Sequence, residues 1–177
     1  GTITVSDVLT WTSGTMAGPG RTVATNQVVM DTNTRYLYER TLEPRGHTIW
    51  AGTIRGYRGG VWHNLPGAVI EARNDASYVY YNSDGARPVL FNEGLLTKSE
   101  GANVALTSAT ITNTGTLNVI TGTLQFAAGS YHAGALQVDA GAVLDLSTGT
   151  HEIANSATVT ATGVLRVSSG ATTVAGR

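Results

Sequence analysis

Glycine and serine recur through most of the chain at nearly constant intervals, and this spacing narrows the possible folds more than any other feature. Gly46, Gly67, Gly94, Gly115, Gly134 and Ser156 stand 21, 27, 21, 19 and 22 residues apart, and Gly176 follows 20 later. A fixed period near twenty residues signals one structural unit stacked on copies of itself, a solenoid. Such a scaffold is elongated and broad-faced. It is suited to holding, spacing or adhering rather than to enclosing a reaction.

From Gly94 onward each period divides into three short segments. One period reads Gly115-TLNVIT, Gly122-TLQFAA, Gly129-SYHA, and the next Gly134-ALQVDA, Gly141-AVLDLST, Gly149-THEIAN. Apolar residues follow the leading glycine two and four places on, as in Leu117 and Val119, Leu124 and Phe126, Leu136 and Val138, Leu165 and Val167. That alternation marks a strand with one buried side. Val143-Leu144-Asp145-Leu146 runs one place out of step. Strands this short, joined by glycine corners and without Asn-Gly hairpin turns in this region, pair with their counterparts one coil away, in parallel. The sequence therefore predicts an all-β fold, a right-handed parallel β-helix forming a three-sided solenoid with about 20 residues per coil. About eight coils at ~4.8 Å each make a rod on the order of 40 Å long. Inward Leu, Val, Ile and Phe form apolar ladders, so aspartate at Leu124 or Leu136 is expected to prevent folding.

Composition agrees with tight-turned β-structure: 27 threonines, 22 glycines and 13% charged residues. A net charge of −1 gives no reason to expect nucleic acid or an anionic membrane as partner. The absence of cysteine excludes disulfides and thiolate metal sites. No apolar run approaches the roughly eighteen residues of a membrane span. One solenoid domain is expected over residues 1–177, irregular and rich in aromatics and arginine over 1–93, regular over 94–177. Because it starts at Gly1 and stops at Arg177 in mid-pattern, the chain reads as an excerpt of a longer protein.

The first hundred residues hold eighteen of the twenty-three charged residues and ten of the twelve aromatics. Thr34–Glu39 and Ser77–Tyr80 alternate like strands, and Gly18-Pro19-Gly20 reads as a turn. The longest period carries surplus residues between Asn74 and Pro88, around Asp84-Gly85, expected as a protruding loop or β-hairpin. Tyr36, Tyr38, Trp50, Tyr57, Trp62, Tyr78, Tyr80 and Tyr81 are interspersed here with Arg35, Arg40, Arg45, Arg55 and Arg58. Aromatic platforms with hydrogen-bonding neighbours stack on sugars and dominate protein interfaces. The candidate binding residues are Tyr36, Tyr38, Trp50, Tyr57, Trp62, Tyr78, Tyr80, Arg55 and Arg58. The alternative is that about half the rings point inward and fill the wider end of the tube.

Catalysis on a polysaccharide would need paired carboxylates, and Glu71 and Glu93 are spaced to lie on neighbouring coils. Otherwise they are exposed residues flanking turns. The sequence contains no G-x-S-x-G, H-E-x-x-H or P-loop motif. His132 and His151, 19 apart, are expected to stack on the surface; two imidazoles do not make a metal site. Repeated G-G-x-G-x-D calcium motifs are missing, and Thr-x-Thr pairs recur at no fixed place, against an ice-binding face. No cofactor or metal is expected.

Several stretches resemble repeats of the large exported bacterial β-strand-repeat proteins, the adhesin-like, filamentous-haemagglutinin-style surface family. They are Leu9-TWTSGTM, Tyr36-LYERTLE, Phe91-NEGLLTKSEG and Asn113-TGTLNVITGTLQFAAG, about a quarter of the chain. The resemblance implies a parallel β-helix, extracellular or on a bacterial cell surface, and carries no catalytic residues with it. The arginine- and tyrosine-rich middle departs from the family. The expected function is a structural and adhesive module presenting a binding face to a glycan or protein, with end-to-end self-association possible through open strand edges. The alternatives are a carbohydrate-active enzyme, a glycoside hydrolase or polysaccharide lyase, and a phage tail-spike-type module.

Overall fold

The computed structural model describes residues 1–175, so Gly176, which continues the glycine spacing, lies outside the described residues. Every pairing between strands is parallel, and the strands stack as a β-solenoid of about eight turns with about 21 residues per turn. The described residues contain no helix. Each regular coil contributes three strands to three faces. The first face runs through Thr53–Tyr57, Ser77–Tyr80, Val104–Thr107, Thr123–Phe126, Val143–Leu146 and Val164–Val167. The second runs through Val61–Asn64, Val89–Asn92, Thr110–Asn113, Ser130–His132, Thr150–Ile153 and Ala171–Val174. The third runs from Val8–Thr10 through Gln27–Met30, His47–Trp50, Val69–Ala72, Leu95–Lys98, Thr116–Val119 and Ala135–Val138 to Thr158–Ala161. Two long strands, Gly14–Ala24 and Thr34–Pro44, run continuously across the first and second faces and join them into one sheet.

The register explains the glycine period. On the third face Val69, Leu95, Thr116, Ala135 and Thr158 lie one above another. Gly115 and Gly134 lead their coils because the chain there passes too close for a side chain: a Cβ on Gly134 would collide with the Gly115 carbonyl oxygen, and one on Gly115 with that of Gly94. Alternation within the strands then places Ile70, Leu96, Leu117 and Leu136 in one buried ladder, and Ala105, Leu124 and Leu144 in another. The out-of-step Val143–Leu146 strand has one more residue in its preceding corner, where the Ala142 amide donates to the Asp139 carbonyl (3.0 Å). Leu144 and Leu146 are thereby returned to the core over Leu124 and Phe126.

Three features of the interior depart from an apolar ladder. Asn64, Asn92 and Asn113 are fully buried and stacked in register at the corner between the second and third faces. The Asn64 amide donates to Asn92 Oδ1 (2.6 Å) and to the Leu95 carbonyl (3.0 Å), and Asn92 repeats this with Asn113 (2.6 Å) and Thr116 (2.9 Å). Each amide thus ties the ladder to the first residue of a third-face strand, Leu95 or Thr116. His132 takes the next place in this ladder. Neither His132 nor His151 lies on the surface, correcting the expectation of exposed, stacked imidazoles: both are buried, and the residue paired with His151 is Ser130. The two rings meet through that serine, His132 Nε2 and His151 Nδ1 each lying 2.8 Å from its Oγ.

Buried cations close two other corners. Arg35 donates to the carbonyls of Trp11 (2.9 Å), Ala51 (3.0 Å) and Asp31 (2.8 Å) and to Asp31 Oδ1 (2.7 Å). Lys98, the only lysine, donates to the carbonyls of Glu100 (2.7 Å), Gly101 (2.9 Å) and Asn74 (3.2 Å). Burial lowers the pKa of both, with Asp31 and Asp75 opposing the shift.

Gly18-Pro19-Gly20 is not a free turn. It lies inside the Gly14–Ala24 strand, where the register shifts between Ala17 and Gly20 opposite Tyr38 and Arg40, a bulge at the corner of the tube. The surplus residues of the longest coil form a loop, 81–88, not a hairpin. Left-handed backbone at Asn82, Ser83 and Gly85 turns this loop back onto the rod.

Candidate functional site

Strand alternation decides which of the aromatic residues can meet a ligand. In His47–Trp50, Thr48 and Trp50 face inward; in Val61–Asn64, Trp62 and Asn64 do; in Ser77–Tyr80, Tyr78 does. Trp50, Trp62 and Tyr78 are therefore core residues and not binding residues, correcting the sequence expectation for these three. They pack edge to face, Trp50 on Trp62 at 5.0 Å and Trp62 on Tyr78 at 5.9 Å between ring centroids. The Tyr78 hydroxyl donates to the Gly60 carbonyl (3.0 Å), and burial pushes its pKa upward. Gly56 makes room for this ring: a Cβ there would lie 2.7 Å from Tyr78 Cε2.

Tyr36, Tyr38, Arg55 and Tyr57 point outward on the first face, because Arg35, Leu37, Ile54 and Gly56 occupy the inward positions between them. Register places Tyr36 against Arg55 and Tyr38 against Tyr57 on successive coils. Tyr81, at the start of the loop, joins them from the third coil, its amide donating to the Gly56 carbonyl (2.9 Å). The rings form one cluster: Tyr38–Tyr57 at 4.7 Å, Tyr36–Tyr81 at 5.5 Å, Tyr57–Tyr81 at 6.0 Å and Tyr36–Tyr57 at 6.4 Å. The Arg55 guanidinium lies between two of them, 4.7 Å from the Tyr81 centroid and 5.7 Å from that of Tyr36, and donates to the Tyr36 hydroxyl (2.9 Å). Arg58 lies over Tyr38 at 5.4 Å, donating to its hydroxyl (2.7 Å) and to Asp84 Oδ2 (3.0 Å). All four tyrosines and Arg55 are half-buried and Arg58 is exposed.

The loop braces the cluster from one side. Its Asp84 and Ala86 carbonyls accept from the amides of Arg58 (2.9 Å) and Gly59 (2.7 Å). Tyr80 belongs to this brace rather than to the cluster: its hydroxyl donates to the Gly85 carbonyl, and Arg87 stacks on its ring at 4.7 Å while donating to the Ser108 carbonyl (2.8 Å). Partial burial and then the surrounding Tyr38, Tyr36 and Asp84 raise the Tyr57 pKa, so its hydroxyl stays protonated at neutral pH. The Asp84 hydrogen bond raises that of Arg58. The result is a polar, cation-bearing aromatic surface held on three coils, able to stack on a ring and to donate hydrogen bonds around it.

Of the other arginines in this part of the chain, Arg40 is buried, with Nε on Thr22 Oγ1 (2.8 Å) and Nη2 on the Arg21 carbonyl (2.9 Å), and Arg45 pairs with Glu43 (2.8 Å). Glu71 and Glu93 are not brought into register, for the residue paired with Glu71 on the next coil is Thr97. Glu71 accepts from Ser99 (2.7 Å), Arg73 (2.8 Å) and His47 (3.1 Å), and Arg73 above all holds its pKa below the usual carboxylate range. Glu93 instead faces His63 (3.3 Å). No group of three or more His, Asp or Glu suited to a metal ion occurs among the described residues.

Sequence reasoning left Arg87 out of the cluster's surroundings and did not single out Phe91 and Tyr131 on the second face, 37% and 39% exposed. Their odd positions between inward Leu90 and Asn92, and between inward Ser130 and His132, were the available signal. No protein-family model, no curated protein and no solved structure matches the chain. No helix among the described residues is long and apolar enough to cross a membrane.

Proposed function

We propose that the chain is a structural and adhesive module of a bacterial extracellular or cell-surface protein, a stiff rod whose first face binds a glycan or a protein. One observation carries this reading: Tyr36, Tyr38, Tyr57 and Tyr81 converge with Arg55 and Arg58 on the outside of the rod. Aromatic rings left half-exposed beside cations are the usual material of recognition surfaces. The backbone beneath them is fixed by parallel ladders on both sides, so little ordering is needed when a ligand binds.

Glycan-array binding by the wild-type chain, beside a Tyr38→Ala/Tyr57→Ala double variant, tests the reading. Binding that the double variant loses, with an unchanged melting curve, is the expected result. A wild-type chain that binds neither glycans nor surface proteins would overturn it. Substituting Trp50 or Trp62 would not serve, since both support the core.

A further inference from the structure

Resting on the reading of the first face as a binding surface, we propose that its ligand is a carboxylated saccharide and that Arg55 takes the carboxylate. The argument starts from where the cations find partners among the described residues. Arg21 and Arg45 share Glu43; Arg35 pairs with Asp31, Arg58 with Asp84, Arg73 with Glu71, Arg166 with Asp145, and Lys98 lies 3.8 Å from Asp75. Arg40 lacks a carboxylate but is buried and uses all three nitrogens on Thr22, Ala17 and Arg21. Only Arg55 and Arg87 remain, among the described residues, as arginine or lysine side chains without a carboxylate within 4.0 Å. Both flank the 81–88 loop: Arg55 stacks on Tyr81 and Arg87 on Tyr80.

Arg55 has the geometry of a receptor. Its plane is held between Tyr36 and Tyr81, a contact that orients the guanidinium without neutralising it. Nη1 is engaged by the Tyr36 hydroxyl. Nε and Nη2 have no protein acceptor, and neither atom of the Nε–Nη2 edge is fully buried. That edge presents two parallel N–H groups, which match the two oxygens of a carboxylate.

The surroundings favour a sugar acid over an acidic peptide. The tyrosine rings supply faces for the C–H side of a pyranose. The Tyr57 and Tyr81 hydroxyls have no partner among the described residues, and those of Tyr36 and Tyr38, which accept from arginine, keep a proton to donate. A peptide adding as a strand would need an open sheet edge, whereas both neighbours of the Thr53–Tyr57 strand are in place.

Calorimetric titration with uronate- and sialate-bearing oligosaccharides, their carboxyl methyl esters, and poly-glutamate separates the possibilities. The acid forms should bind the wild-type chain, and esterification should weaken binding by about tenfold to a hundredfold, the worth of a charged hydrogen-bonded pair. Arg55→Gln should bind acid and ester alike, at the ester's affinity, and Arg55→Lys, which keeps the charge but loses the fork, should fall between. Equal binding of acid and ester by the wild type would overturn the role of Arg55 and leave the face a glycan site. Poly-glutamate binding as tightly as the sugar acids would overturn the saccharide assignment in favour of a protein ligand. If no saccharide bound, this inference and the glycan form of the proposed function would fall together.

Discussion

Acidification is expected to destabilise the middle of the rod through His132. The Ser130 hydroxyl bridges His151 Nδ1 and His132 Nε2, and the other two ring nitrogens, His151 Nε2 and His132 Nδ1, are buried without a partner. A charged His132 carries a proton on both nitrogens, one of them on that unpartnered Nδ1, with the Phe126 ring stacked on the imidazole at 5.7 Å and His151 close by. Burial first, and the neighbouring His151 second, push the His132 pKa from 6.5 down to about 4.

The sign follows from proton binding. Between those two values the unfolded chain binds the proton and the folded chain does not, so stability rises with pH across this window. Stability is complete above about 6.5, falls as the pH drops toward about 4, and falls no further below it. The gap corresponds to about 3 kcal/mol, and His151, shifted in the same direction by burial, adds to the loss. Asp145, held below the usual carboxylate range by Arg166 and Gln125, and likewise Glu43 and Glu71, also lose stabilising contacts in acid. The measurement must therefore be a difference. Urea unfolding at about pH 7.5 and about pH 4 is compared for the wild type and His132→Asn, which removes the imidazole and continues the Asn64–Asn92–Asn113 ladder. The variant should lose about 3 kcal/mol less than the wild type over this range. Equal losses in the two proteins would refute the assignment of His132 as a buried neutral base.

Five further substitutions test the packing. Trp62→Ala should cost about 3–5 kcal/mol in thermal or urea unfolding, whereas Tyr57→Ala, at an outward position on the neighbouring face, should stay within about 1 kcal/mol. Asn92→Ala leaves Asn113 Oδ1 without its donor and Asn64 Nδ2 without its Asn92 acceptor, and unfolding should report a loss of roughly 2–4 kcal/mol. Gly134→Ala puts a methyl group against the Gly115 carbonyl oxygen and should destabilise strongly, while Gly141→Ala meets no atom within 4 Å and carries only the cost of its left-handed backbone, about 1–2 kcal/mol. Equal melting temperatures for the two glycine variants would contradict the close passage of coils at residue 134.

The regular coils were legible because one local rule, a corner glycine followed by inward residues two and four places on, is obeyed by Leu117 and Val119, and by Leu136 and Val138, and the stack repeats it. The polar ladder was hidden from hydrophobic periodicity, since Asn92, Asn113 and His132 hold inward positions that a search for apolar alternation rejects. A signal existed nonetheless. Each of the three stands two residues before the corner glycines Gly94, Gly115 and Gly134. The aromatic region was harder because Trp62 shares its inward set with Asn64, and Tyr78 shares a strand with the outward Val79 and is followed by the outward Tyr81. Composition alone therefore could not divide core rings from surface rings; only the strand frame could.

At the irregular coil Gly56 leaves room for the Tyr78 ring inside the tube, and residues 81–88 run beside it as a loop. The same loop carries Tyr81 to the outside, supplies Asp84 to Arg58, and braces the first face where Tyr36, Tyr38 and Tyr57 emerge. The buried Tyr78 ring and the outward tyrosine cluster thus meet at one irregular coil, where the departure from the repeat, rather than the repeat itself, brings Tyr81 and Asp84 to the candidate site.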